Sequence, residues 1–159
     1  MKKLKIYLDT SVISYLQQND AKEEMQYTHI LWQDIKDGKY IVYISDITIF
    51  EIKRCYEPKR TSLEKYLEEI QYQLIQTDKE IDMVADKFIE NHILSKQSYD
   101  DCRHIACSIV AGCDIIVSWN FKHIVNYKTI KGVRLVSLMT GYNDVSICSP
   151  EMLIERGKE

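Results

Sequence analysis

The stretch Leu4-Lys5-Ile6-Tyr7-Leu8-Asp9-Thr10-Ser11 carries the first decision about the fold. Leu4–Leu8 alternates and is β-prone, which suits a strand. Asp9-Thr10-Ser11 ends it abruptly with residue types that cap helices. A strand running straight into a helix is the start of a β-α unit, and the pattern recurs downstream. A helix is expected over 23–36, with Gly38 as its stop. The continuous apolar run 40–44 reads as a strand covered on both faces, and Ser45 as the cap of a helix over 46–55. Pro58 then breaks the chain. Two helical segments over 61–75 and 78–94 follow, and Ser98-x-x-Asp101 opens, as a capping box, a helix that runs to 111 and closes at Gly112. Residues 114–118 read as a third strand and 133–137 as a fourth. Strands alternating with helices imply parallel β-α units, hence the α/β class: a three-layer α/β/α sandwich with a central parallel sheet. No repeat, low-complexity stretch or linker interrupts the chain, so one domain is expected over 1–159.

Length and composition agree with a globular domain. A chain of 159 residues buries roughly two-thirds of the surface its unfolded form exposes. With 45% hydrophobic and 28% charged residues it is too apolar and too nearly neutral to stay disordered. Only five glycines and two prolines punctuate it, which disfavours a sandwich of many short turns. No apolar run approaches the ~20 residues of a membrane span. Asp9 cuts the N-terminal apolar run too early for a signal peptide, so a cytoplasmic protein is expected. The five cysteines (Cys55, Cys102, Cys107, Cys113, Cys148) form no Cys-x-x-Cys pair and read as free thiols in a reducing compartment. The net charge of −3 does not advertise a nucleic-acid binder, but it hides a polar distribution. Between Glu64 and Glu90 eight acids face three lysines, whereas 115–143 contains no acid and carries Lys122, Lys128, Lys131 and Arg134. Lys53, Arg54, Lys59 and Arg60 form a second basic cluster. One side of the molecule is a candidate positive surface, against the plainer alternative of ordinary solvated charge.

Ligands of an open parallel sheet bind at the carboxyl ends of its strands. Asp9 ends the first strand, Glu51 lies in the helix after the second, and Asn120 follows the third. Asp101 opens the helix that runs antiparallel into the third strand, which brings it to the same edge. Taken singly, Asp9 reads as a turn aspartate and Asp101 as the acid of a capping box. Glu51 shares a helical row with Ile47 and Cys55, where a carboxylate needs a cation, hydrogen bonds or a proton. Together the three acids repel one another unless a cation compensates, and all-oxygen ligands suit Mg²⁺ or Mn²⁺. Such an ion activates water for phosphoryl transfer, so the chain reads as a metal-dependent phosphodiesterase. Phosphate-loop, dinucleotide-binding and serine-hydrolase motifs are absent.

Four stretches carry a family resemblance: Leu8-Asp9-Thr10-Ser11-Val12-Ile13; Ser45-Asp46-Ile47-Thr48-Ile49-Phe50-Glu51-Ile52; Asp101-Cys102-Arg103-His104-Ile105-Ala106; and Ile116-Val117-Ser118-Trp119-Asn120-Phe121-Lys122-His123-Ile124. In order and in shared sheet edge they resemble the PIN-domain nucleases, in particular the VapC-type ribonuclease toxins of toxin–antitoxin pairs. The resemblance implies an endoribonuclease whose acids Asp9, Glu51 and Asp101 hold Mg²⁺ or Mn²⁺, with Thr10 or Ser11 supporting them through hydroxyls. It further implies an RNA substrate, an antitoxin partner and a homodimer. Members often carry a fourth acid after the third strand; here Asn120 and His123 stand there, so Asn120 is the remaining catalytic candidate and a single ion is expected. His104, one turn from Asp101, could orient it, though packing against the sheet is the favoured reading; His123 reads as structural or surface. Trp119 and Phe121 offer a stacking surface or core packing. Two rivals stand beside the nuclease: a catalytically weak scaffold binding RNA or protein, and a phosphatase acting on small esters.

Overall fold

In a computed structural model, described for residues 2–154, the sequence folds into a five-stranded parallel sheet of order β3-β2-β1-β4-β5. The strands are β1 (Leu4–Leu8), β2 (Tyr40–Ser45), β3 (Gln73–Ile75), β4 (Ile115–Val117) and β5 (Ser146–Cys148). Helices connect them: α1 (Thr10–Ser14), α2 (Lys22–Lys36), α3 (Asp46–Lys53), α4 (Lys59–Glu68), α5 (Lys79–Glu90), α6 (Tyr99–Val110) and α7 (Tyr127–Thr140), with α8 (Pro150–Leu153) after β5.

Side chains on a strand alternate between the two faces, and the centre of the sheet obeys this. Tyr7 points into one apolar layer with Phe88 of α5, Ile105 of α6 and Val133 of α7. Ile6 and Leu8 point into the other, with Val12 of α1, Leu31 and Trp32 of α2, and Leu63 of α4. The result is the expected α/β/α sandwich. Cys102, Cys107 and Cys113 are buried free thiols of the first layer. Gly38 ends α2 with φ +81°, a left-handed turn that favours glycine. No helix of the described residues is long and apolar enough to cross a membrane.

Two expectations fail at the sheet's margins. Residues 73–75, expected to be helical, form the edge strand β3, in which only Ile75 is even partly buried. So small a buried face leaves almost no period-2 signal. Residues 133–137, expected to be a strand, belong to α7. That helix buries Thr129, Gly132, Val133, Val136 and Ser137, the spacing of one helical face, and its cap Asn126 accepts from the Thr129 amide. The local Val-Arg-Leu-Val run imitates a strand, whereas the fourteen-residue period does not. The fifth strand lies further on, at β5. The Ser98 capping box also does not form: Ser98 makes no side-chain cap hydrogen bond.

The strand order reverses at β1, which has β2 on one side and β4 on the other. Between β1 and β4 successive connections leave in opposite directions, and the carboxyl ends of those strands bound a crevice.

Candidate active site

Asp9 sits at that crevice, only 3% exposed. Its amide donates to the Val117 carbonyl at 3.2 Å, so the β1–β4 ladder continues into it. The carboxylate does not cap α1. Ser11 Oγ donates to Oδ1 and Ser118 Oγ to Oδ2, each at 2.5 Å. Both serines are used twice: Ser11 Oγ accepts from the Trp119 amide and Ser118 Oγ from the Asn120 amide, each at 2.9 Å. The loop after β4 is thereby tied to Asp9 through two hydroxyls. Burial lifts the Asp9 carboxyl above its ordinary range; the charge of His104 and the two hydroxyls oppose this, and Asp101 adds to it.

Glu51 projects from α3, whose start is fixed by Ser45 accepting from the Ile47 amide. Thr10 Oγ1 donates to Glu51 Oε1 at 2.6 Å, and His104 Nε2 lies 2.7 Å from the same oxygen. Burial pushes the Glu51 pKa up, but the hydrogen bond and charge of His104, with Thr10 and Arg54, outweigh it and hold it below the ordinary value. For His104 burial pushes the pKa down; the bond and charge of Glu51, then Asp9 and Asp101, turn the net shift upward. A protonated imidazole donates from both nitrogens, and Nδ1 meets Tyr7 Oη at 2.6 Å. Tyr7 in turn reaches Ser45 Oγ at 2.8 Å, so a polar chain runs from Glu51 into the core beside β2.

Asp101, in the first turn of α6, pairs through Oδ2 with His123 Nδ1 at 2.8 Å. The His123 amide donates to Asn120 Oδ1 at 2.9 Å, so the Asn120 amide oxygen fastens the loop that presents His123. Among the described residues nothing hydrogen-bonds the second oxygen of Glu51 or of Asp101.

The sequence predicts Asp9, Glu51 and Asp101 at one edge; in the structure Glu51 accepts from Thr10, the residue after Asp9, and Asp101 is tied through His123 and Asn120 to the Ser118 that donates to Asp9. His104, expected to pack against the sheet, is buried, and it bonds Glu51 rather than orienting Asp101. A signal was present, because Asp101 and His104 share a face of α6 with Ser108 among otherwise apolar positions. Ser118 was missed as a partner of Asp9; a lone hydroxyl at the end of the apolar strand β4 was its only mark. Trp119 is core, 4% exposed, its Nε1 donating to Thr28 Oγ1, whereas Phe121 is 53% exposed.

No three histidine, cysteine, aspartate or glutamate side chains among the described residues are grouped so as to hold a metal ion. In kind the donors fit a hard cation: all are oxygens, and among the described residues the carboxylates of Glu51 and Asp101 each keep an oxygen without a protein partner.

The sequence model of the PIN domain family matches residues 5–122, from the start of β1 through the loop after β4. The chain belongs to the PIN domain family. The match encloses the three acids and the serines around Asp9. Among solved structures, this PIN domain is similar to the VapC20 toxin of Mycobacterium tuberculosis, described as cleaving the sarcin–ricin loop. The TM-score is 0.57 at 15% identity, over 74% of this chain and 92% of that one. It is also similar to VapBC2 of Rickettsia felis, solved with a DNA fragment from their promoter. There the TM-score is 0.58 at 11% identity, over 92% and 98% of the two chains. Curated proteins give no sequence match to this PIN domain.

Proposed function

We propose that this PIN domain is a Mg²⁺- or Mn²⁺-dependent endoribonuclease of the VapC type, the toxin of a toxin–antitoxin pair. The observation that carries the reading is the hydrogen-bond linkage of the three acids at the crevice between β1 and β4: Glu51 accepts from Thr10, the residue after Asp9, and Asp101 is tied through His123 and Asn120 to the Ser118 hydroxyl that donates to Asp9. The similarity to VapC20 and VapBC2 supports it, as does the identity of the donors.

In this reading Asp9, Glu51 and Asp101 hold the ion. When bound, it neutralises charge at a phosphodiester and lowers the pKa of a water. The protein's own groups prepare the carboxylates. Ser11 and Ser118 fix both oxygens of Asp9, and Thr10 fixes Glu51. His104, 2.7 Å from Glu51, holds the Glu51 carboxyl below its ordinary pKa, against the effect of burial. His123 orients Asp101, and Asn120 acts by holding the turn that carries His123. Asn120 brings no charge, which favours a single ion. RNA is the substrate, an antitoxin the inhibitory partner, the active form a homodimer, and the working compartment the cytoplasm.

The test is incubation of purified protein with single-stranded RNA in Mg²⁺, in Mn²⁺ and in chelator, beside Asp9→Asn. Cleavage that requires metal and vanishes in the variant is the expected outcome. Binding of RNA without cleavage in either metal would replace the enzyme by the binding scaffold. Hydrolysis of a generic phosphate ester with RNA left intact would replace it by a phosphatase.

A further inference from the structure

Next to the carboxylates lies a cavity of about 400 Å³ between the segment linking α5 to α6 and the start of α7. His92, Ser95, Lys122, His123, Asn126 and Lys128 line it, and no acid among the described residues does. His123 joins it to the site, since its Nδ1 holds Asp101 while its Nε2 lies 3.5 Å from Ser98 Oγ on the cavity wall.

The cations of this region divide sharply. Lys131 stands over the Tyr127 ring at 5.2 Å, Arg134 faces Asp144 at 3.7 Å, and Arg103 is held by Asp82 and Asp100. Among the described residues neither Lys122 nor Lys128 has a carboxylate partner, and both are exposed at the cavity. The first turn of α7 contains no acid, so its dipole adds to the positive field at that mouth. The wall is firm: a Cβ on Gly132 would lie 2.6 Å from Ile93 Cγ2, so α7 and the α5–α6 link already touch closely. A cavity beside Lys3 also has no acid among the described residues of its lining, but it lies at the amino ends of β1, β2 and β3, on the edge opposite the carboxylates; two others mix the charges. One is lined by Asp46 and Asp100 beside Arg103, another by Glu69 beside Lys65.

We propose that this cavity is a subsite for a backbone phosphate of the RNA strand, a nucleotide away from the bond at the carboxylates or a few, with Lys122 and Lys128 as the binding cations. The acid pocket repels a polyanion wherever no ion compensates, so a strand needs a positive anchor beside it. The inference rests on the endoribonuclease reading and specifies where that enzyme grips its substrate.

The test uses the Asp9→Asn protein, which keeps RNA intact, and a fluorescent single-stranded oligonucleotide titrated at 50–200 mM salt. Lys122→Ala/Lys128→Ala is compared with Lys65→Ala/Lys79→Ala, which removes the same charge from exposed positions away from the cavity. The cavity variant should bind about tenfold more weakly, and its dependence of log affinity on log salt should be shallower by about 1, while the control keeps the parent's values. Oligonucleotides with one neutral methylphosphonate walked along the strand locate the phosphate: at one position neutralisation should weaken the parent and leave the cavity variant unchanged. Equal loss in both double variants, or none in either, overturns the subsite. Wild-type protein assayed in parallel separates the two ideas. If it cuts RNA while the cavity variant binds like the control, only the subsite falls; if it neither binds nor cuts RNA, the nuclease reading falls and the subsite with it.

Discussion

Replacing His104 by phenylalanine keeps a ring in a site that is 2% exposed and removes its polar contacts, Glu51 and Tyr7 at short range and Thr10 at 3.5 Å. Tyr7 keeps Ser45, so its hydroxyl is not orphaned. Glu51 loses a charge-assisted hydrogen bond, worth ~1.5–3 kcal/mol when made. Its side chain is 33% exposed, so water takes over part of the solvation and the full penalty of a stranded buried charge is not incurred. We expect a loss of ~2–3 kcal/mol, and a fall in Tm of roughly 5–10 °C for a chain of this size. The dependence on pH is the sharper consequence. His104 has a raised pKa, so its contribution is complete below an unfolded value near ~6.5 and disappears as pH climbs through the raised folded value. Glu51 has a lowered pKa, so its contribution is complete above an unfolded value near ~4.3 and is lost as pH falls through the lowered folded value. The gap between wild type and variant should therefore be widest at about pH 4.5–6.5 and narrow on the alkaline side. Urea unfolding of wild type, His104→Phe and His104→Gln from pH 5 to 9 measures it. Glutamine can still donate to Glu51 but carries no charge, so His104→Gln should lose less stability than His104→Phe. A gap of equal size at acid and alkaline pH would refute the ion pair and leave only packing.

Other perturbations have equally definite outcomes. In chelator at neutral pH, Asp9→Asn should unfold at a temperature no lower than wild type. A carboxyl with a raised pKa contributes stability at acid pH and loses it as pH rises through the folded value, so ionised Asp9 is a burden there. Adding Mg²⁺ or Mn²⁺ should then raise the Tm of wild type and leave the variant unmoved, as scanning fluorimetry would show. Ser118→Ala strips a hydrogen bond from Asp9 and from the Asn120 amide and should cost about 1–3 kcal/mol in urea unfolding. Gly132→Ala gains helix propensity of about 1 kcal/mol but forces a methyl against Ile93, so a net loss of up to ~2 kcal/mol is expected. Combined with Ile93→Ala, the loss should be smaller than the sum of the single losses, as a double-mutant cycle would reveal.

The centre of the fold is plain in the sequence, and its margins are not. β1 and β2 end in buried apolar residues and β4 is buried throughout, and residue types common at helix caps follow β1 and β2, so their places are readable. β3 and β5 are three residues long and largely uncovered, so pairing with a neighbour rather than side-chain pattern makes them strands. α7 is hidden because five of its fourteen residues imitate a strand. At the candidate site the acids announce themselves by standing at strand ends or in a polar-poor helix. Their supporting groups do not, since Ser118 lies 109 residues from Asp9 and His104 lies 53 from Glu51. Only the closed sheet shows those pairs.

That same separation governs when the carboxylates come together during synthesis. Asp9 is made early, yet the strand that supplies its neighbour and the hydroxyl that clasps it emerges 109 residues later. At ordinary elongation rates the delay is roughly 5–20 s. Within it β1 and β2 can pair once residue 45 is made, but Asp9 has no Ser118 until the end, and for most of it neither Asp101 nor the His104 that bonds Glu51 exists. A ribosome that stalls or a message that is cut before the α6 codons releases a chain without the constellation. The parallel order of the strands thus acts as a clock: the candidate site is assembled only once the chain has been made through β4.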